Sequence, residues 1–158
     1  MHQDYVSFAR MDGLPDPDRD AQYYEGVPAR RAAAWLIDAF VIMLVGVPVA
    51  LVFGLATFGF GFALFPFIVA SVGFLYRVGT ISRASATWGM RAMAIELRRH
   101  DGTRFDFGTA VLHTAIYTIA FWTVALQIVS CVTILATRYH QGLQDIVLRT
   151  TAINRPAD

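Results

Sequence analysis

Two aspartates and one arginine are the side chains of this chain best placed to do chemistry. Asp38 stands inside a long apolar run, in the stretch Arg30-Arg31-Ala32-Ala33-Ala34-Trp35-Leu36-Ile37-Asp38-Ala39-Phe40, seven positions after Arg31. A carboxylate at the centre of a membrane helix costs about 2.5 to 3.5 kcal/mol on insertion scales, so it is usually kept for a reason and usually paired. Seven helical residues rotate by about 700°, roughly 20° short of two turns, which puts Arg31 and Asp38 on one face with about 10 Å of axial separation. A long arginine side chain reaching inward meets that carboxylate directly or through water. Asp145 follows the last apolar stretch and is the third member of the set. Membrane carboxylates carry ions and protons along relays, or they lock helices together as buried ion pairs. Both chemistries are open to a polar cluster of Arg31, Asp38 and Asp145 near one membrane face.

Other chemistry has little to stand on. Cys131 is the only cysteine and lies within an apolar run, which reads as a small packing residue and offers no disulfide, CxxC pair or thiolate metal site. His113 and His140 have no metal-ligand spacing with other ligands, and neither HExxH nor a serine nucleophile elbow is present. Gly59 and Gly61 are flanked by phenylalanine, without the strand, lysine or hydroxyl of a phosphate loop. The expectation is a non-enzyme with no cofactor and no metal. A formal net charge of +1 gives no reason to invoke nucleic acid.

The elements that must position these residues follow from composition. Of 158 residues, 56% are hydrophobic and 16% charged, against about 25% charged in soluble domains, which argues for an integral membrane protein. Residues 1–28 hold six acidic residues and three prolines, a composition that reads as a disordered acidic tail. The domain proper runs from 29 to 155. No charge occurs from Ala39 to Tyr76, far longer than the roughly 20 residues of one crossing, so the chain turns back at Thr57-Phe58-Gly59-Phe60-Gly61. That spacing predicts helices at about 32–56 and 61–79, kinked by Pro48 and Pro66. A third apolar stretch, about 110–136, is interrupted only by His113 and Gln127. Between helices two and three, the alternation of Met93 to Leu97 and the Asp101-Gly102 turn predict a short cytoplasmic β-hairpin, to which Ile146–Ile153 could add a strand. The fold class is therefore all-α, a small bundle of three transmembrane helices, or four with one re-entrant.

Charge orients the bundle. Arg30 and Arg31 precede the first helix and six arginines lie between 77 and 104, which places the N-terminus and that loop in the cytoplasm. A simple third crossing would then leave Arg138, Arg149 and Arg155 outside, against the same rule. A bent pair of short helices over 108–137 would return them. The two inferences disagree, and the sequence leaves both standing. All thirteen basic residues are arginine, as a GC-rich bacterial genome tends to produce.

At this point the sequence resembles the RDD family of bacterial membrane proteins. Arg31 and Asp38 fit the family's first-helix arginine and aspartate; Thr87-Trp88-Gly89-Met90-Arg91 fits its Thr-x-Gly-x-basic signature; Ile95 to Gly102 fits its strand and Asp-Gly turn. Arg138, Gln141, Leu143 and Asp145 fit the closing segment, with Thr150 as the family's threonine, so the resemblance covers roughly residues 25–155. Arg149 stands where the family often has glycine, and His113 where it often has a basic residue. The resemblance implies a multi-pass protein of the bacterial inner membrane whose molecular role is loosely defined, with transport of unknown ligands suggested and cation/proton antiport associated with some members.

Three functions are compatible with these residues. The first is a structural or accessory membrane subunit whose Arg/Asp cluster fixes helix packing. The second is an oligomeric cation/proton-coupled transporter using Asp38 and Asp145. The third is an envelope factor that binds anionic lipid through Arg98 and Arg99. The expected partners are the lipid bilayer and further membrane subunits or copies of the chain, for which Gly46, Gly54, Gly73 and Gly79 supply small surfaces.

Overall fold

The structure, a computed structural model, describes Met11 and residues 13–155. Its first long element, α1, runs from Val27 to Ala56 without interruption, starting after Gly26 in the left-handed region with Pro28 in the first turn, where a missing N–H costs nothing. It passes through Pro48 as one 30-residue helix. Thr57 closes it: the hydroxyl donates to the Phe53 carbonyl at 2.8 Å and accepts from the Gly61 N–H at 2.7 Å. A 3-10 turn, Phe60–Leu64, then leads into α2, Phe65–Ala84. Pro66 consequently sits in the first turn of α2 and starts a helix where a kink was expected. α2 extends five residues past the expected end at 79, with Arg83 in its last turn, where a cation complements the helix dipole.

α1 and α2 pack closely where side chains are absent. A Cβ on Gly46 would lie 3.4 Å from Val69, and one on Gly73 would lie 3.4 Å from Ile42. Gly54 lies against the Phe62 ring, so three of the four glycines serve contacts within the chain, while Gly79 faces open space. Both helices are long and apolar enough to cross a membrane. Their outer faces carry Leu36, Phe40, Leu44, Val52, Phe67 and Leu75, each more than 60% exposed, an arrangement suited to a hydrocarbon surrounding.

The third apolar stretch is broken. α4, Phe107–Trp122, and α5, Val124–Ala136, meet at Thr123, whose ψ of 94° is extended, and they are bent by 117°. Both outer ends of this pair are tied to the same end of the bundle. Asp106, which caps α4, accepts from Arg99, and the Tyr139 carbonyl just past α5 accepts from Thr151. The pair therefore leaves and returns to one end, and the bent alternative prevails over the straight crossing. His113 faces the interior, 5% exposed, but Gln127 is only half-buried beside Cys131. Cys131 is exposed and not a packing residue of the core.

That end of the bundle carries a cap. It comprises α3, Trp88–Ala92; β1, Ile95–Arg99; α6, Leu143–Leu148; and β2, Thr150–Asn154. β1 and β2 pair antiparallel from Ile95 opposite Asn154 to Arg99 opposite Thr150. The expected local hairpin does not form. The Asp101-Gly102 turn is present, with Gly102 at φ 78° donating to the Arg99 carbonyl at 2.8 Å, but the chain beyond it goes directly to the Asp106 cap of α4. The Thr-rich C-terminal strand supplies the partner. The buried core, which includes Ala34, Ile81, Ile95, Leu97, Ala110 and Ala152, thus lies where the cap meets the ends of α1, α2 and α4.

The described part of the acidic segment is also tied to this cap, contrary to the reading of residues 1–28 as disordered; residues 1–10 and 12 lie outside the described residues. Tyr24 is 3% exposed and its hydroxyl donates to the Pro15 carbonyl at 2.8 Å. Asp16 and Asp18 pair with Arg138, and Asn154 donates to the Gln22 and Glu25 carbonyls. Acidic composition predicted solvation; Asp16 and Asp18 remain largely exposed but share Arg138 as a basic partner.

Candidate functional site

Asp38 lies on α1 where α3 crosses it, and it is 1% exposed. Its Oδ1 accepts from the Tyr76 hydroxyl at 2.7 Å and from the Gly89 N–H at 2.9 Å; its Oδ2 accepts from the Thr87 hydroxyl at 2.6 Å. Thr87 is also the N-cap of α3, its Oγ1 accepting from the Met90 N–H at 3.1 Å. A buried carboxylate thus engages the free N–H at a helix start, which complements both its charge and the unpaired donors there. Gly89 is required because a Cβ there would overlap the Ala34 carbonyl. The Thr-x-Gly motif is the surface on which Asp38 is received. The nearest cation is Arg77, Nη1 at 3.8 Å from Oδ2, whose guanidinium lies 4.4 Å from the centre of the Tyr117 ring.

Asp145 occupies a second cluster on α6, with no exposure at all. Oδ2 accepts from Arg31 at 2.7 Å and from the Gly142 N–H at 3.1 Å; Oδ1 accepts from the Thr150 hydroxyl at 3.1 Å and meets His113 Nε2 at 2.9 Å. Burial by itself would raise this carboxyl, but the Arg31 charge, the His113 contact and the Gly142 N–H outweigh it and hold the group well below the usual carboxylate range. Gln141 supports the cluster from the side, its amide donating to the Thr150 carbonyl at 2.7 Å.

The structure therefore divides the expected three-residue cluster. Arg31 pairs with Asp145, 114 positions away, and not with Asp38, seven positions away on its own helix. Asp38 turns instead to α2 and α3. Arg91 is exposed on α3, and Arg138 binds Asp16 and Asp18 at the surface. Sequence reasoning left Tyr76, Arg77 and Tyr117 out of the site. Arg77 did carry a signal, since it is the charge that ends the 38-residue neutral stretch opened by Asp38. His113 carried one too: it stands where the resemblance expects a basic residue, and that place proves to be against Asp145.

Apolar helices of crossing length, a polar cap at one end and two buried aspartates between them define a membrane-associated helical module. The chain belongs to the RDD family, whose model matches residues 26–149. Neither a curated protein nor a solved structure matches the chain.

Proposed function

We propose that this chain is a multi-pass protein of the bacterial inner membrane with a structural or accessory role, a non-enzyme in which two aspartates fasten the cytoplasmic cap to the helix ends. The observation that carries this reading is the occupancy of the carboxylates. Each oxygen of Asp38 and Asp145 accepts from at least one donor of the chain itself, and both residues are at most 1% exposed. An ion relay needs an oxygen that a cation or water can reach. The cap-end placement of Arg30, Arg98, Arg99, Arg138 and Arg155 supports a cytoplasmic N-terminus, by the excess of arginine on that side.

The test is reconstitution in phosphatidylglycerol/phosphatidylethanolamine vesicles under an imposed pH gradient. The expected cation flux equals that of empty vesicles, while Asp38→Asn and Asp145→Asn lower thermal stability. A wild-type flux lost in both variants despite normal insertion would replace this reading with the cation/proton transporter. That alternative draws on the His113–Asp145 contact, a titratable ring against a buried carboxylate. The lipid-binding reading of Arg98 and Arg99 has less support, because Arg98 is engaged by Glu96 and the Gly102 carbonyl and Arg99 by Asp106.

A further inference from the structure

We propose that the cleft between α1, α2 and α4 holds one acyl chain of an anionic phospholipid, with the lipid phosphate on Arg77. This rests on the membrane reading above. The cleft has a volume of about 340 Å³, within the range of about 300–1,000 Å³ typical of small-molecule sites. Its walls are apolar, with Ile42, Val69, Phe74, Phe121 and Trp122 among them, and among the described residues Arg77 is the sole charged one that lines it. Trp35, whose indole donates to the Tyr117 hydroxyl at 2.8 Å, lines it on the α1 side.

The polar requirement comes from Arg77. Its side chain is 11% exposed, and the Asp38 oxygen at 3.8 Å is beyond hydrogen-bond reach. Tyr76, Thr87 and Gly89 already occupy Asp38. Among the described residues Arg77 therefore has an ion pair and an aromatic face, but no hydrogen-bond acceptor. None of its nitrogens is fully buried without a partner, so the guanidinium keeps N–H groups open to the surroundings, and a phosphate matches its planar fork.

Length supplies the apolar requirement. From Arg77 to Pro66, both lining the cleft, α2 rises about 16 Å at 1.5 Å per residue, close to half of a hydrocarbon core of about 30 Å. One chain of one leaflet fits that span. The head then lies toward the cap end, where the arginine excess also favours anionic lipid. Phosphatidylcholine would bring a second cation to Arg77, so the site discriminates by headgroup charge.

Native mass spectrometry of the full-length protein in neutral detergent, titrated with phosphatidylglycerol and with phosphatidylcholine of identical chains, tests this. One phosphatidylglycerol should be retained about tenfold more tightly, a difference of about 1.4 kcal/mol. Arg77→Gln should erase the preference, Ala70→Trp should fill the cleft and weaken both lipids, and Arg91→Gln should change nothing. Millimolar inorganic phosphate should leave the complex intact. Equal retention of the two lipids, a preference that survives Arg77→Gln, or displacement by inorganic phosphate overturns the proposal. Should Arg77→Gln fail to fold, undiminished phosphatidylglycerol retention by Ala70→Trp overturns it. Carbonate extraction of membranes separates the two levels: a protein that stays inserted yet shows no lipid preference defeats this inference alone, and one that is extracted defeats the membrane reading.

Discussion

Asp38 and Asp145 spend their charge in different ways. Asp38 accepts only from hydroxyls and a backbone N–H, with Arg77 as a distant counter-ion, whereas Asp145 is held by a direct arginine pair. Asp38→Asn preserves shape but turns one acceptor into a donor facing donors. It should cost about 1–3 kcal/mol, read by unfolding in detergent micelles. Arg31→Met leaves Asp145 buried without its cation and should cost about 3–5 kcal/mol. Because the clusters are separate, Arg31→Met and Asp38→Asn should add to within about 0.5 kcal/mol, while Arg31→Met with Asp145→Leu should not. Strong coupling between Arg31 and Asp38 would restore the single cluster. Folding depresses the Asp145 pKa, so its contribution is complete above the unfolded value of about 3.9 and is lost as pH falls toward the folded value. Unfolding midpoints taken from pH 7 down to pH 3 should fall below about pH 5 in the wild type and fall less steeply in Asp145→Asn.

Among the elements, α3 shows how little sequence can position a site. Five residues, capped by Thr87, press their backbone onto α1 through Gly89. Gly89→Ala should force α3 off the Ala34 carbonyl and cost about 1–3 kcal/mol or more as overpacking, whereas Gly79→Ala, with nothing within 4 Å, should be neutral or slightly stabilising. Equal effects of the two substitutions on the unfolding midpoint would contradict this packing. The Thr-x-Gly spacing was readable as a motif because it lies within three consecutive residues. Its receiving carboxylate, 49 positions earlier, was not. Likewise the Asp101-Gly102 turn was legible and the C-terminal strand was expected as an addition to a local hairpin, but among the described residues it is the sole partner of β1, paired across the whole of α4, α5 and α6.

The whole molecule is organised by its ends. N-terminal residues, the 85–106 segment and the C-terminal strand meet at one end, shown by Gly13 donating to the His100 carbonyl at 3.0 Å and by Arg155 donating to the Ala94 carbonyl at 2.8 Å. In a Cys131→Ser background, single cysteines at Asp101 and Arg155 should be labelled by an impermeant maleimide from the same face of a vesicle. A cysteine at Phe58, 96% exposed between α1 and α2, should be labelled from the other. Opposite labelling of Asp101 and Arg155 would reinstate a straight third crossing. Hydropathy could not reveal the bent pair, because it measures only the length of an apolar run and is blind to a bend such as that at Thr123.

What the sequence by itself determined is everything carried by contiguous residues: two helices of crossing length, the turn at Thr57–Gly61, the Thr87-x-Gly89 motif, the Asp-Gly turn, and the presence of costly charges that must find partners. Their apolar length and turn chemistry are local quantities, and the free energy that selects them is local too. Only the tertiary structure decided which partners those charges take. Arg31 and Asp38 share a helix face, yet about 10 Å of axial rise separates them, and a buried arginine gains most from a direct, charge-assisted bond. Asp145 offers that bond at 2.7 Å once the bent pair brings the C-terminal segment back to the first helix.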